Sequence, residues 1–154
     1  MASSLMKIYI HLTFHVKRNG FSHTIRECDL PELFRYIDGI IANVGGKPIQ
    51  IGGIETHVHI LAVLPKRMTI PDFVRTIKAN SSRWIKTLDK VHYVDFSWQD
   101  GYGAFSVSPS GVEGTRQYII NQKQHHQNES YEDEYIRILK AYNVEYDERY
   151  IFDD

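Results

Sequence analysis

The run from Ile54 to Leu64, Ile-Glu-Thr-His-Val-His-Ile-Leu-Ala-Val-Leu, constrains the fold more than any other stretch of the chain. Side chains alternate across a strand, so Val58, Ile60, Ala62 and Leu64 share one side while His57, His59, Leu61 and Val63 share the other. Away from the histidines both sides are apolar, which places this strand centrally in a sheet. His57 and His59 then bring two imidazoles to one end of it. Two neutral imidazoles converging in a buried place are costly unless something fills the space between them, and a divalent metal does so directly. The alternative is a pair of ordinary histidines, one hydrogen-bonded and one at a sheet edge. The short pattern alone leaves both open.

The elements around this strand are legible from periodicity. Residues 6–16 alternate, with Ile8, Ile10, Leu12, Phe14 and Val16 on one face and Tyr9, His11, Thr13 and His15 on the other. Lys17-Arg18-Asn19-Gly20 ends that strand in a basic turn. Asp29-Leu30-Pro31-Glu32 starts a helix capped by Asp29, whose stripe is Leu33, Phe34, Ile37, Ile40, Ile41 and Val44; Gly45-Gly46 stops it. A short strand near 48–51 and a Gly52-Gly53 break lead into the histidine strand, with antiparallel pairing expected. Thr69-Ile70-Pro71-Asp72 begins a long second helix with Ile70, Phe73, Val74, Ile77, Ile85 and Leu88 inward. Residues 91–96 read as extended, 97–103 as an aromatic, glycine-containing loop, and 104–108 as a further strand.

Two more helices follow, over 112–125 and after a Ser130 cap, the latter with Tyr135, Ile138, Leu139 and Tyr142 on one face. Acids cluster in its first turn, where the helix dipole favours them. The aromatic tail Tyr146–Phe152 is expected to pack on a surface. Strand, helix, strand, strand, helix, strand, then extra helices is the order of an α+β, ferredoxin-like or RRM-like fold. It predicts an antiparallel sheet with helices on one face, plus C-terminal helices, and the first and third strands adjacent at its centre.

Charge is divided along the chain. The net of −1 combines residues 129–154, with nine acids and three bases, and residues 1–128, with fifteen bases and ten acids. A mildly basic body permits phosphate binding without demanding it. Cys28 is the single cysteine, so neither a disulfide framework nor a cysteine metal cluster is expected. No apolar run is long enough to span a bilayer and the N-terminus lacks a signal-peptide pattern, which predicts a cytoplasmic protein without membrane association.

In the helix over 112–125, Val112, Ile119 and Ile120 form the buried stripe, with Arg116 beside them. Tyr118 and Gln122 are four apart and stack on a face turned away from that stripe. The ordered set resembles the single-tyrosine HUH transposases of small insertion sequences. It comprises His57-x-His59 on a central strand, Trp98-Gln99-Asp100-Gly101-Tyr102 before the fourth strand, and a glycine-flanked helix carrying Tyr118-x-x-x-Gln122. The first strand running into Lys17-Arg18 adds to it, and the likeness covers about residues 6–127.

The resemblance implies that His57, His59 and Gln122 hold Mg²⁺ or Mn²⁺ and that Tyr118 is the nucleophile. In many relatives the residue before the first histidine is aspartate; here it is Thr56, which can supply one hydrogen bond. The implied activity is metal-dependent cutting and rejoining of single-stranded DNA at hairpin-bearing ends, through a 5′-phosphotyrosine that conserves bond energy and needs no nucleotide cofactor. One tyrosine per chain and two ends to process imply a homodimer, with Gly111 and Gly114 as a hinge for the tyrosine helix. Residues 1–128 would form the catalytic domain, and 129–154 a C-terminal helix and tail packed on it or on the dimer partner. Lys17, Arg18, Arg75, Lys78, Arg83 and Lys86 are candidate phosphate contacts, and Trp84, Trp98 and Tyr102 candidate stacking platforms for unpaired bases. His11 and His15 read as structural; His125 and His126 extend the Tyr118–Gln122 face toward the metal or, as the favoured reading, form a satisfied helix end. Rival readings are a domesticated nuclease or replication initiator of the same chemistry, a non-catalytic nucleic-acid-binding module, and a metallo-hydrolase.

Overall fold

The computed structural model describes residues 3–152; Asp153 and Asp154, the end of the expected acidic tail, lie outside them. Strands β1 (Tyr9–His15), β2 (Lys47–Ile54), β3 (His57–Val63) and β4 (Gly103–Val107) form one antiparallel sheet in the order β2-β3-β1-β4. This is the expected arrangement, with the histidine strand β3 and the alternating strand β1 at the centre. Helices α1 (Leu30–Asn43) and α2 (Ile70–Leu88) cover one face. Leu33, Ile37 and Ile41 of α1 and Phe73, Val74, Ile77 and Ile85 of α2 meet Ile10, Leu12, Phe14, Val58, Ile60 and Ala62 in a single apolar core.

The cap signals at Thr69 and Ser130 hold, while that at Asp29 does not. The Thr69 hydroxyl accepts from the Asp72 N–H at 3.2 Å, and the Ser130 hydroxyl from the Asp133 N–H at 3.1 Å. Asp29 stands at the start of α1 but makes no side-chain cap. Its carboxylate instead accepts from Arg26 Nε at 3.0 Å and from the Tyr93 hydroxyl at 2.6 Å. These partners outcompete the cap because one is a guanidinium and the other is the hydroxyl of Tyr93, whose ring is anchored in the core. Residues 91–95 form turns rather than an extended segment, and they bring Tyr93 inward.

Strand β2 does not break at Gly52-Gly53 but runs through both glycines to Ile54. A Cβ at Gly52 would lie 2.6 Å from the Ile119 carbonyl oxygen, so the glycine admits a helix backbone against the strand. That helix is α3 (Val112–Ile120), followed after Asn121 by the single turn α4 (Gln122–His125); the sequence pattern showed one continuous helix. Ile119 is its buried anchor, while Ile120 is largely exposed. Helix α5 (Tyr131–Ala141) completes the second face, where Tyr131, Tyr135, Ile138 and Leu139 cluster with Phe105 of β4, and Tyr146, Ile151 and Phe152 of the aromatic tail pack against them. Both faces of the sheet are therefore covered, the second by the C-terminal helices. Among the described residues no helix is long and apolar enough to cross a membrane.

Candidate active site

His57 and His59 lie fully buried on the second face with their ring centroids 5.2 Å apart. Each is oriented by its Nδ1. Thr56 Oγ1 lies 3.1 Å from His57 Nδ1, and His11 Nε2, from the neighbouring strand, lies 2.8 Å from His59 Nδ1. Both Nε2 atoms therefore turn into one small volume, as metal-ligating histidines fixed from behind do. Thr56 thus supplies the hydrogen bond that the sequence reading allowed it, and His11 is more than a packing residue.

The docking of α3 on Gly52 brings Tyr118 and Gln122 into the same volume. Gln122 is buried, with Oε1 3.0 Å from His57 Nε2 and 3.0 Å from His126 Nε2. Its Nε2 donates to Glu134 Oε2 at 3.0 Å. The Tyr118 hydroxyl donates to the same Glu134 Oε2 and accepts from Arg137 Nη2 at 2.9 Å. Tyr118 thus faces the same volume as His57, His59 and Gln122 of its own chain.

Sequence reasoning missed Glu134 and set His126 aside as a helix end. Glu134 Oε1 lies 2.9 Å from His59 Nε2, 3.1 Å from His126 Nε2 and 3.5 Å from His57 Nε2. One ligand atom from each of His57, His59, His126 and Glu134 falls within 4.8 Å of the other three. A signal was present in the sequence. Glu134 sits among Tyr131, Tyr135, Ile138 and Leu139 at helical spacing, an acid inside an apolar stripe. Tyr131 roofs the site, its ring 4.1 Å from that of His57 and its hydroxyl 3.2 Å from Thr13 Oγ1.

The electrostatics describe a room built for a cation. Burial, reinforced by its neighbour His59, keeps the His57 imidazole neutral well below its ordinary range, and the same two causes lower His11 to about 3. Burial would raise the Glu134 carboxyl, but hydrogen bonds from His126 and His59 hold it far below the usual carboxylate range. Burial and then the Glu134 carboxylate push the Tyr118 phenol upward, so the closed site keeps this hydroxyl protonated.

The cationic and aromatic candidates divide. Lys17 and Arg18 border a groove of about 400 Å³ that reaches Thr56, His126 and Tyr131. Lys17 pairs there with Asp100 at 3.3 Å and Arg18 with Glu132. Arg75, Lys78 and Tyr102 line a separate cavity of about 440 Å³ beside α2. Lys78 Nζ donates to the carbonyls of Gln99, Asp100 and Gly101 at 2.7, 3.2 and 2.5 Å, fastening that loop. Arg75 pairs with Asp72 at 2.8 Å and Arg83 reaches Asn80 at 3.2 Å; Lys86 lies half-buried in the last turn of α2. Trp98 is a core residue, not a stacking platform. Its ring meets Phe14 and Phe96 at 4.8 and 5.1 Å, and its N–H donates to Ser81 Oγ at 3.0 Å. Trp84 stacks on Tyr36 at 4.6 Å.

The family model described as "Transposase IS200 like" matches residues 4–122. A proposed transposase of Deinococcus radiodurans has a similar structure, with TM-score 0.58 and 23% identity, covering 79% of this chain and 95% of that one. A REP-associated tyrosine transposase bound to a REP hairpin is also similar, with TM-score 0.55 and 15% identity, covering 82% of this chain and 73% of that one. No curated protein matches the chain at a significant level.

Proposed function

Since the chain belongs to the IS200-like transposase family, we propose that it cuts and rejoins single-stranded DNA with Tyr118 as nucleophile beside a divalent ion held by His57, His59 and Gln122. The observation that carries this reading is the convergence of two Nε2 atoms, the Gln122 amide oxygen and the Tyr118 hydroxyl in one buried volume. The donor set fits the ion. Imidazole nitrogens with amide or carboxylate oxygens suit Mn²⁺ well and Mg²⁺ adequately. When bound, such an ion neutralises charge developing on a scissile phosphate and aligns it.

The chain's own residues do the rest. Thr56 and His11 fix the ring orientations of His57 and His59. The Tyr118 oxygen attacks phosphorus and its proton passes to solvent, since the Glu134 carboxylate that holds the hydroxyl in the closed site is too weak a base to keep it. A tyrosine–phosphate bond forms, the P–O3′ bond breaks, and the 3′ oxygen departs with a proton from water. The 3′-OH of another end reverses the exchange, so rejoining needs no nucleotide cofactor. Arg137 Nη2, bonded to the phenol oxygen, steadies it before attack.

A hairpin-bearing substrate is supported by the neighbour that was bound to a REP hairpin. Lys17 and Arg18, flanking the groove beside Thr56 and His126, are placed to meet phosphates leading into the site. Two ends and one tyrosine per chain favour a homodimer in the full reaction. Residues 1–128 carry Tyr118, His57, His59 and Gln122 in this reading, and residues 129–152 close over them and add Glu134 and Arg137.

The test uses the full chain, Mn²⁺ and labelled single-stranded oligonucleotides bearing imperfect hairpins. Wild type should form a denaturation-resistant protein–DNA adduct, and Tyr118→Phe and His57→Ala should not. An adduct at wild-type level with Tyr118→Phe would refute the nucleophile.

A further inference from the structure

Glu134 and His126 lie beyond residue 122, where the family match ends, yet their side chains enter the site from α5 and the end of α4. We propose that Glu134, together with His126, coordinates the same divalent ion as His57 and His59, so that α5 supplies a metal ligand and the ion fastens this helix over the catalytic face. The inference rests on the reading of His57 and His59 as metal ligands.

Distance supports it first. Donors at about 2.1 Å from an octahedral ion stand about 3 Å from their neighbours in the shell. Glu134 Oε1 lies 2.9 Å from His59 Nε2 and 3.1 Å from His126 Nε2, and Gln122 Oε1 lies 3.0 Å from both His57 and His126 Nε2. These four pairs are spaced as adjacent ligands are.

Charge supports it second. The Glu134 side chain is 0% exposed, and a carboxylate so buried is paired or coordinates a metal. The nearby guanidinium of Arg137 is spent on Tyr118 and on Glu129, at 2.9 and 3.0 Å. The groups that face Glu134 Oε1 are the ring nitrogens of His59 and His126, at 2.9 and 3.1 Å. A divalent ion between these groups balances the carboxylate and uses every inward-facing lone pair.

Sequence economy supports it third. On α5 the positions of Tyr131, Tyr135, Ile138 and Leu139 build the apolar face, and position 134 shares that face. An aliphatic residue there would serve packing alone. The acid there instead turns its carboxylate onto His59 and His126 beneath it.

The experiment is calorimetric titration of the DNA-free, full-length chain with MnCl₂, alongside amide exchange in α5. Glu134→Gln, which keeps the volume, should weaken Mn²⁺ binding at least tenfold. Glu134→Asp should recover part of that loss. In wild type, Mn²⁺ should slow exchange of the Tyr135–Leu139 amides at least tenfold, a readout independent of any variant's folding. If Glu134→Gln binds within twofold of wild type while His57→Ala does not bind, the metal site stands and Glu134 is not its ligand. If His57→Ala also binds like wild type, the histidine pair itself has been misread and both proposals fall. Exchange in α5 that ignores Mn²⁺ overturns the claim that the ion fastens the helix.

Discussion

Gly52→Ala adds a single methyl group on the strand beside His59, and it should nonetheless cripple the site. A Cβ at this position would stand 2.6 Å from the Ile119 carbonyl oxygen and 2.8 Å from Ile119 Cγ2. Ordinary contact begins near 3.4 Å, so α3 must withdraw from β2 by about 0.8 Å. Shortening Ile119 cannot relieve this, because the nearest atom belongs to the backbone. Tyr118 precedes Ile119 directly and Gln122 follows within a turn, so both move with the helix. Overpacking of this kind costs about 1–3 kcal/mol of stability, and a displacement near 1 Å at a reacting group costs about 10²-fold in rate. The assay is the initial rate of protein–DNA adduct formation, with urea unfolding to confirm the fold. Gly39→Ala is the matched control, since nothing lies within 4 Å of its added carbon on the exposed side of α1. It should leave the rate unchanged and add about 0.5–1 kcal/mol of helix stability. If Gly52→Ala forms adduct within threefold of wild type, the contact with β2 does not position the tyrosine helix.

Other perturbations test separate parts of the structure. Thr56→Val removes the partner of His57 Nδ1 and should weaken Mn²⁺ binding about tenfold by calorimetry; unchanged affinity would mean that the ring is oriented by its packing alone. Lys78→Met frees three loop carbonyls and should cost about 1.5–3 kcal/mol in urea unfolding, whereas a loss below about 0.5 kcal/mol would deny that Lys78 holds the 99–101 loop. Asp29 offers a pH test. Burial pushes its carboxyl up, but the Tyr93 hydroxyl and the Arg26 guanidinium outweigh this and hold it below its ordinary 3.8. A depressed folded value contributes stability at neutral pH and loses it as pH falls below about 4. The stability gap between wild type and Asp29→Asn should therefore shrink between about pH 4 and 2, and a constant gap would remove Asp29 from the acid response.

Most of the fold was legible because its signals are local. Alternation in residues 8–16 and the two-sided apolarity of 54–64 place β1 and β3 at the centre of the sheet, where they are. Thr69 and Ser130 cap as their spacing suggests. Asp29 does not, since long-range partners from Arg26 and Tyr93 took its carboxylate, and no local pattern announces them. Gly52 read as a break because a glycine pair in a strand looks like a turn until the approaching helix is known.

At the site, His57 and His59 were visible through strand periodicity and Tyr118 with Gln122 through helical spacing. Glu134 was hidden because its position was credited to the favourable dipole of an α5 N-terminus. Its place in the apolar stripe was the stronger clue. Trp98 shows the opposite failure. A tryptophan in a polar, glycine-containing loop suggests a base-stacking surface, yet the loop folds inward and its ring fills the core between Phe14 and Phe96.

The central claim of the proposal is that the Tyr118 oxygen becomes covalently joined to DNA. The most direct measurement is mass spectrometry of proteolysed, nuclease-trimmed adduct formed with hairpin-bearing single-stranded DNA and Mn²⁺. A nucleotide mass on the peptide containing Tyr118, linked through a 5′ phosphate and accompanied by a free 3′-OH on the released strand, is the predicted result. A nucleotide on any other residue, or nicking that leaves no nucleotide on the protein, would contradict it.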